Sequence, residues 1–326
     1  MLKCKICNAS SLKVLSTREA THKRPTMHYL QCPVCSVCFA DPYTPAEVKT
    51  ALGETFQYQV SPHDLKRLQR KITRLRKPIN KFLLQILKGY SFYSIRFEHI
   101  YKILLSPLQV CLFKNIIPFI GTGRLLDVGC NIGLSMEILQ SIGWQTQGVE
   151  PRIRWFELAK GRNLKVQHGT LDTVSFPDKH FDAILFIQVF EHIWNPIETL
   201  ERAKKILVDN GRIFIEVPNQ RCLSFYLFRE LFYDYPDHCH CYSPRSLSLL
   251  CKKVGLMIKE IRIKSSSGQF IYFLKKKCDK LPNPWKDFLS AIICAKLFKL
   301  CFIQPLCFLL ETLRFGDVMR VEIAKE

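Results

Sequence analysis

The stretch "GRLLDVGCNIG", Gly123–Gly133, decides the fold of this chain. Leu125, Leu126 and Val128 read as a buried strand that ends in a tight turn, and "GLSMEILQSIG" reads as the helix that follows. Gly129 and Gly133 remove side chains where backbone approaches a ligand, and a helix N-terminus lies just beyond. Toward the C-terminus "QTQGVEP" is a second strand, "RIRWFELAK" a helix and "LKVQHG" a third strand. "FDAILFIQ" is a near-continuous apolar run of the kind found in a central parallel strand. "NPIETLERAKKIL" is helical and "GRIFIEVP" is a fifth strand. This alternation predicts an α/β doubly wound parallel sheet with ligands at the carboxyl ends of its strands. Glu150 closes the second strand, where a carboxylate can accept both hydroxyls of a ribose. The plainer reading, a charge that caps a strand end, is weakened by the glycine loop beside it.

Taken in order, "LLDVGCNIG", "GVEP", "GTLDTVSFPDKHFDAILFIQVFEHIWNP" and "NGRIFIEVPN" resemble the successive motifs of class I S-adenosylmethionine-dependent methyltransferases. The resemblance covers about residues 115–275. It implies a seven-stranded, mostly parallel Rossmann-like sheet whose antiparallel last strand, "FGDVMRVEIAKE", returns beside "LMIKEIRI". It also implies that Asp127, Gly129 and Gly133 hold the methionine end of S-adenosylmethionine and Glu150 the ribose. Thr170, Leu171 and Asp172 would lie by the adenine, with Gln188 near the sulfonium. Asn131 stands where many members have glycine, and its amide can still reach the cofactor.

At the N-terminus "CKIC" (Cys4, Cys7) is followed by "CPVC" (Cys32, Cys35). Paired Cys-x-x-Cys knuckles at this separation match a structural four-cysteine zinc site. Cys38 overlaps the second knuckle and leaves the fourth ligand open on spacing alone. Without a metal, some forty residues with few apolar side chains would have no means of folding. A ribbon reading "YLQCPVCSVCFADPYTP" ahead of such a domain is similar to bacterial methyltransferases of sugar, polysaccharide and secondary-metabolite pathways, and that likeness favours Cys32 and Cys35, with Cys38 a spare.

The expected organisation is a zinc ribbon over 1–45, a basic helical linker or lid over 46–114, the cofactor core over 115–275, and an apolar helical insertion with the final strand over 276–326. The chain has 326 residues, 15 cysteines and a formal charge of +20. No apolar signal-peptide core follows "MLKCKIC", so a cytoplasmic location with reduced thiols is expected. The charge favours nucleic acid, anionic membrane or anionic substrates and says nothing of fold. It peaks between Lys66 and Lys88, where nine Lys or Arg occur with no acid. Leu65, Leu68, Ile72 and Leu75 recur there at helical spacing behind Asp64, a candidate N-cap. The segment is either a basic helix on RNA or membrane, or a linker helix with its apolar face on the core.

"FLSAIICAKLFKLCFIQPLCFLL" could span a bilayer by length, but Lys296 and Lys299 would each cost about 2.5–3.5 kcal/mol there. Pro305 is expected to break the helix. A core-covering helical pair is favoured over peripheral contact with the inner face of the membrane.

Methyl transfer requires the protein to orient an acceptor and, for a hydroxyl or carbon acid, to remove its proton. The turn "FIQVFEH" is not the Asn/Asp-Pro-Pro-aromatic turn of exocyclic-amine methylation, and no Pro-Cys pair occurs there. A hydroxyl or carbon of a sugar or other small metabolite is therefore the expected acceptor, with a lipid-linked one compatible. Candidate bases are His192 and, in "DHCHCYSPRSL", His238 and then His240. That segment resembles a signature of the sugar-modifying branch, in which a histidine can act as base. Two competing readings are an RNA methyltransferase that uses ribbon and basic helix, and a non-catalytic adapter that keeps the fold.

Overall fold

The computed structural model describes residues 3–4, 6–18, 27–41, 62–91, 116–227, 238–265, 267–279, 281–283, 285–295 and 298–326. Much of the 46–114 region, and Lys296 in the apolar insertion, lie outside the described residues.

The N-terminal ribbon is a meander of β1 (Lys13–Arg18), β2 (Met27–Gln31) and β3 (Cys38–Asp41). Two helices follow, α1 (Pro62–Arg76) and α2 (Pro78–Lys88). Helix α1 starts three residues ahead of the sequence expectation, so Asp64 lies in its first turn and is not its cap. A proline at the first position suits a helix start, because its missing N–H would have had no partner there. Leu68 and Leu75 turn inward and are buried, while Lys66, Arg67 and Arg70 stay exposed. Helix α2 ends at Gly89, whose φ of 73° supplies the left-handed cap. Just beyond it Tyr90 accepts from Trp144 Nε1 at 2.8 Å and donates to the Ile117 carbonyl at 3.0 Å.

The core then alternates as β4 (Arg124–Val128), α3 (Leu134–Gln140), β5 (Gln145–Glu150), α4 (Ile153–Gly161) and β6 (Val166–His168). It continues with β7 (Phe181–Ile187), a 3-10 turn at Phe190–His192, α5 (Pro196–Ile206) and β8 (Leu207–Pro218). Next come α6 (Leu223–Leu227), β9 (His240–Cys241), α7 (Pro244–Lys253) and β10 (Leu256–Lys264). Ser243 caps α7 in a reciprocal pair with Ser246. The insertion holds α8 (Ser267–Cys278), α9 (Trp285–Cys294), a π turn at Lys299–Ile303 and α10 (Gln304–Thr312), before β11 (Val318–Lys325).

Seven strands form one sheet in the order β10-β11-β8-β7-β4-β5-β6. The pairs from β8 to β6 are parallel, and β11 is antiparallel to both its neighbours. This is the doubly wound sheet that the alternation predicts, with the antiparallel last strand that the resemblance implies. Alternation explains the two layers. Leu126, Val128, Ile184, Phe186, Ile213 and Ile215 pack on one side with Leu200 and Ala203 of α5 and Leu247 and Leu250 of α7. Their neighbours Leu125, Ala183, Leu185 and Phe214 pack on the other with Leu75, Leu84 and Leu139. Successive strand residues point to opposite faces, so near-continuous apolar strands bury both.

The ribbon is not a separate bead. Strand β9, from the core, adds to β3 to make a four-stranded sheet β1-β2-β3-β9, with Cys38 opposite Cys241 and Phe39 opposite His240. Cys4, Ile6, Cys35 and Phe39 also belong to the same apolar cluster as the central strands.

The apolar insertion differs from expectation in two respects. Pro305 does not break the chain's helical course, because it sits in the first turn of α10 just after the π turn, where no i−4 bond is lost. Phe270, Ile303 and Cys307 do cover a buried cluster, but Phe288, Phe302 and Phe308 are 58%, 64% and 72% exposed. No described helix is long and apolar enough to cross a membrane.

Ile323 of β11 is fully buried between β8 and β10. Ile323→Ala is expected to cost about 2–5 kcal/mol, read as a lower urea midpoint at unchanged slope. An unchanged midpoint would mean the last strand is not part of the core.

Candidate functional site

The carboxyl ends of β4, β5 and β7 open onto a cleft of about 650 Å³. After β4 the chain turns on Gly129, whose φ of 71° suits glycine, and an added Cβ would meet Val189 Cγ2 at 2.5 Å. Asn131 also adopts a left-handed φ, of 54°, and its Oδ1 accepts from the Ile132 amide at 2.6 Å. Asparagine tolerates that region because its short amide can bond locally. Gly133, at φ 80°, stands just before α3, and an added Cβ there would strike Leu164 Cδ1.

Two carboxylates lie under this loop, almost wholly buried. Glu150 Oε2 accepts from the Asn131 amide at 2.8 Å and Oε1 from the Arg152 amide at 2.9 Å. A carboxylate has about four lone-pair sites, so these two bonds leave roughly half of its accepting capacity for a ligand. Burial raises Glu150, against the pull of the two amides. Burial, with Glu150's charge added, pushes Asp127 up to about 7. Beside them the Arg152 guanidinium stacks on Trp155 at 4.2 Å.

Thr170, Leu171 and Asp172 line the same cleft, with Leu171 buried and Asp172 accepting from Thr199 Oγ1 at 3.4 Å. Gln188, at φ 56°, forms the wall at the end of β7, and its amide donates to the Glu216 carbonyl at 2.8 Å. The cleft therefore gathers Asp127, Gly129, Asn131, Glu150, Gln188 and the Thr170–Asp172 turn. Gly133 is not among its lining residues; it shapes the turn from behind.

The far wall carries His192 and His238, with ring centroids 4.9 Å apart. His192 is set by the 3-10 turn after β7. His238 is set by β9, because the adjacent Cys239 amide donates to the Glu191 carbonyl at 2.9 Å and its thiol to the His192 carbonyl at 3.3 Å. Burial, with His192 adding a smaller push, lowers His238 to about 3. His238 Nδ1 is buried and makes no hydrogen bond among the described residues. His240 does not belong to this wall. It is buried, stacked on Tyr242 with centroids 5.7 Å apart, because its pairing with Phe39 of β3 takes it into the ribbon sheet.

Glu191 was not singled out by the sequence reading, although it stands beside His192 at the end of an apolar strand. It also lines the cleft, and neither carboxylate oxygen has a hydrogen-bond partner among the described residues. Burial pushes it up to about 8. Ligand atoms of Glu191, His192 and His238 lie within 4.8 Å of one another, a set able to hold a divalent cation.

The ribbon cysteines form a second such set. Sγ atoms of Cys4, Cys7, Cys32 and Cys35 lie within 4.8 Å of one another, with Cys4–Cys35 at 3.5 Å and Cys7–Cys32 at 3.4 Å. Two matched turns present them: the Asn8 amide bonds the Cys4 carbonyl and the Ser36 amide the Cys32 carbonyl, both at 2.9 Å, with φ of 62° and 64°. Four thiols this close suit a tetrahedral zinc with Zn–S of about 2.3 Å. Cys38 stands apart and accepts from Gln220 Nε2 at 2.7 Å.

Curated relatives include the ubiquinone biosynthesis O-methyltransferase of Cereibacter sphaeroides, 28% identical over 115 residues, or 33% of this chain and 46% of that protein. The enzyme of the same name from Aromatoleum aromaticum is 25% identical over 158 residues, covering 42% of this chain and 65% of its own. The chain thus spans about half to two thirds of the curated relatives it matches. A solved SAM-dependent methyltransferase from Archaeoglobus fulgidus is 20% identical and covers 71% of this chain and all of its own, with a TM-score of 0.44. The family described as Methyltransferase domain matches residues 63–261, a span that contains every residue lining the cleft. The chain therefore belongs to the methyltransferase-domain family.

Proposed function

We propose that this protein transfers a methyl group from S-adenosylmethionine to a hydroxyl oxygen of a small-molecule acceptor. The observation that carries this reading is the union, in one cleft, of the buried Asp127–Glu150 pair with the His192–His238 ring pair. The relatives' names, O-methyltransferases acting in ubiquinone biosynthesis, support oxygen as the acceptor atom. A sugar or lipid-linked metabolite is the acceptor class that the ribbon and histidine motifs favour.

When bound, S-adenosylmethionine supplies an electrophilic methyl group on a sulfonium, open to in-line displacement. Glu150 uses its remaining lone pairs for the ribose hydroxyls. Asp127 places its carboxylate at the ammonium of the methionine end, beside the Gly129–Asn131 loop. Leu171 offers an apolar face to the adenine, with Thr170 and Asp172 at its rim, and Gln188 lies toward the sulfonium. His238, kept neutral by burial, accepts the hydrogen of the acceptor hydroxyl at Nδ1. A weakly basic imidazole suffices, because the oxygen's proton becomes strongly acidic as the new C–O bond forms. His192 lies close enough to share that proton. Zinc in the ribbon is structural: it holds β3 in place, and β3 holds β9 and thus His238.

A metal-assisted reading has its own support, the Glu191 carboxylate with both oxygens unpartnered among the described residues. A divalent cation on Glu191, His192 and His238 would polarise the hydroxyl in place of a base.

His238→Ala is expected to lower kcat by about 10²–10⁴-fold with the affinity for S-adenosylhomocysteine retained. Zinc content should stay at one ion per chain; a second metal in the wild type that this variant loses would favour the metal-assisted reading. Retained turnover would remove His238 from the chemistry. Failure of the wild type to bind S-adenosylhomocysteine would support the adapter reading.

Asp127 sets a pH dependence. Its carboxyl titrates near 7 in the free protein and must be ionised to face an ammonium, so the affinity for S-adenosylhomocysteine should rise between pH 6 and 8 and then level off. Calorimetry that shows no such rise would place the ammonium elsewhere.

Peripheral membrane contact is the further location we favour. The exposed Phe288, Phe302 and Phe308 adjoin a helix whose last turn carries exposed Lys275, Lys276 and Lys277. The protein is expected to sediment with anionic liposomes at low salt and to be released at high salt; absence of sedimentation counts against membrane contact.

A further inference from the structure

Helix α1 has two unlike faces. Leu68 and Leu75 are buried, and Leu75 belongs to the apolar cluster on one side of the sheet. At 3.6 residues per turn, Lys66, Arg67, Arg70 and Arg74 fall within an arc of about 100° on the opposite side. All four are exposed, and so is Lys77, which continues the row past the end of the helix. No acid occurs from Leu65 to Ser91, and none of the four side chains joins an ion pair among the described residues.

Opposite charges four residues apart support a helix, and like charges at that spacing weaken it. Lys66, Arg70 and Arg74 stand at that spacing, so the stripe works against its own helix. Exposed cations elsewhere on the surface have acids beside them, as Lys179 has Asp209 and Lys286 has Asp279. The stripe has no such compensation within the described chain, and an external anion supplies it. The kind of anion follows from the surroundings. Single-stranded nucleic acid stacks its bases on exposed aromatic rings, and α1 carries no Phe, Tyr or Trp. Instead Ile79, 60% exposed, follows Lys77 in the first turn of α2. An apolar side chain among cations suits a lipid interface, where it enters the acyl boundary while the cations meet anionic headgroups. Lys71, on the flank of the stripe, lines a cavity of about 630 Å³, as do Ser265 and Ser267 at the start of α8. The helix that leads to Lys275–Lys277 thus begins across that cavity from α1. The cavity shares Ser135, Ile187 and Gln188 with the cofactor cleft.

We propose that the Lys66–Arg74 stripe of α1 docks the protein on the anionic phospholipid headgroups of a bilayer. Docking there sets the adjoining cavity beside the bilayer surface and gives a lipid-borne acceptor a route past Gln188 to the cleft. That route rests on the methyl-transfer reading. The docking does not, and it is separate from the contact proposed for the insertion.

Partitioning of the full-length, zinc-loaded protein onto vesicles tests the proposal. At low salt, wild type should bind mixed phosphatidylglycerol–phosphatidylcholine vesicles more tightly than phosphatidylcholine vesicles, and high salt should remove the difference. Each cation near an anionic surface is worth about a factor of five. Arg67→Gln, Arg70→Gln and Arg74→Gln combined should therefore weaken binding to the mixed vesicles at least about tenfold. The three side chains are exposed, and an unchanged urea midpoint with unchanged affinity for S-adenosylhomocysteine certifies the fold. The same loss should appear on top of Phe302→Ser with Phe308→Ser, which removes apolar contact from the insertion. Equal partitioning of wild type and the glutamine variant overturns the docking, even where the phenylalanine variant loses binding. Equal partitioning together with loss of binding to an RNA duplex overturns it in favour of nucleic acid. S-adenosylhomocysteine affinity is read on the same samples: its retention leaves the methyl-transfer reading standing whatever the vesicles show, and its absence in wild type strikes that reading alone.

Discussion

The insertion of β11 between β8 and β10 is the constraint on which the edge of this molecule depends. Main-chain pairing on both sides of β11 is possible only if the chain returns antiparallel after the α8–α10 insertion. That return keeps the apolar insertion on the outside of the sheet. It also carries Arg320 to Glu216, more than a hundred residues away in sequence. The strand is buried by Met319, Val321 and Ile323, all fully inaccessible, so hydrophobic burial holds the polar pairing in register.

A second organising feature is the pair of carboxylates buried beneath the glycine loop. Burying negative charge is costly unless hydrogen bonds compensate it. Glu150 has its compensation in two backbone amides, one from the loop after β4 and one from the start of α4. It therefore ties two crossover units together as well as facing the cleft. Asp127 shows no such bond among the described residues, and burial with Glu150's charge raises it; burial raises Glu150 too, against the pull of its two amides.

The third feature is the two-residue strand β9. It joins the ribbon sheet on one side, while the preceding residue bonds Glu191 and His192 on the other. The ribbon thus reaches the cleft through three consecutive residues, His238 to His240. This gives the four cysteines a consequence for the acceptor wall that a detached ribbon would not have.

Much of this was legible in the chain. The apolar strands, the glycine loop, Glu150 and the paired knuckles are local patterns, and each is dictated by a short-range rule: alternation, positive φ, or metal-ligand spacing. The doubly wound parallel sheet followed from the alternation of strand and helix. What could not be read is what depends on distant partners. "DHCHCYSP" offers two histidines as candidate bases, yet the pattern cannot say that β3 claims His240 and leaves His238 in the cleft. Pro305 in isolation reads as a helix breaker, and only the π turn before it makes room. Glu191 reads as an ordinary acid beside a histidine, and only its burial, with both oxygens unpartnered among the described residues, sets it apart. The sequence by itself determined the cofactor-type sheet and the paired cysteine knuckles, because both are written in nearest-neighbour chemistry. Tertiary structure alone decided which histidine meets the cleft and which charges meet at the sheet edge, because burial and charge pairing are sums over residues far apart in the chain.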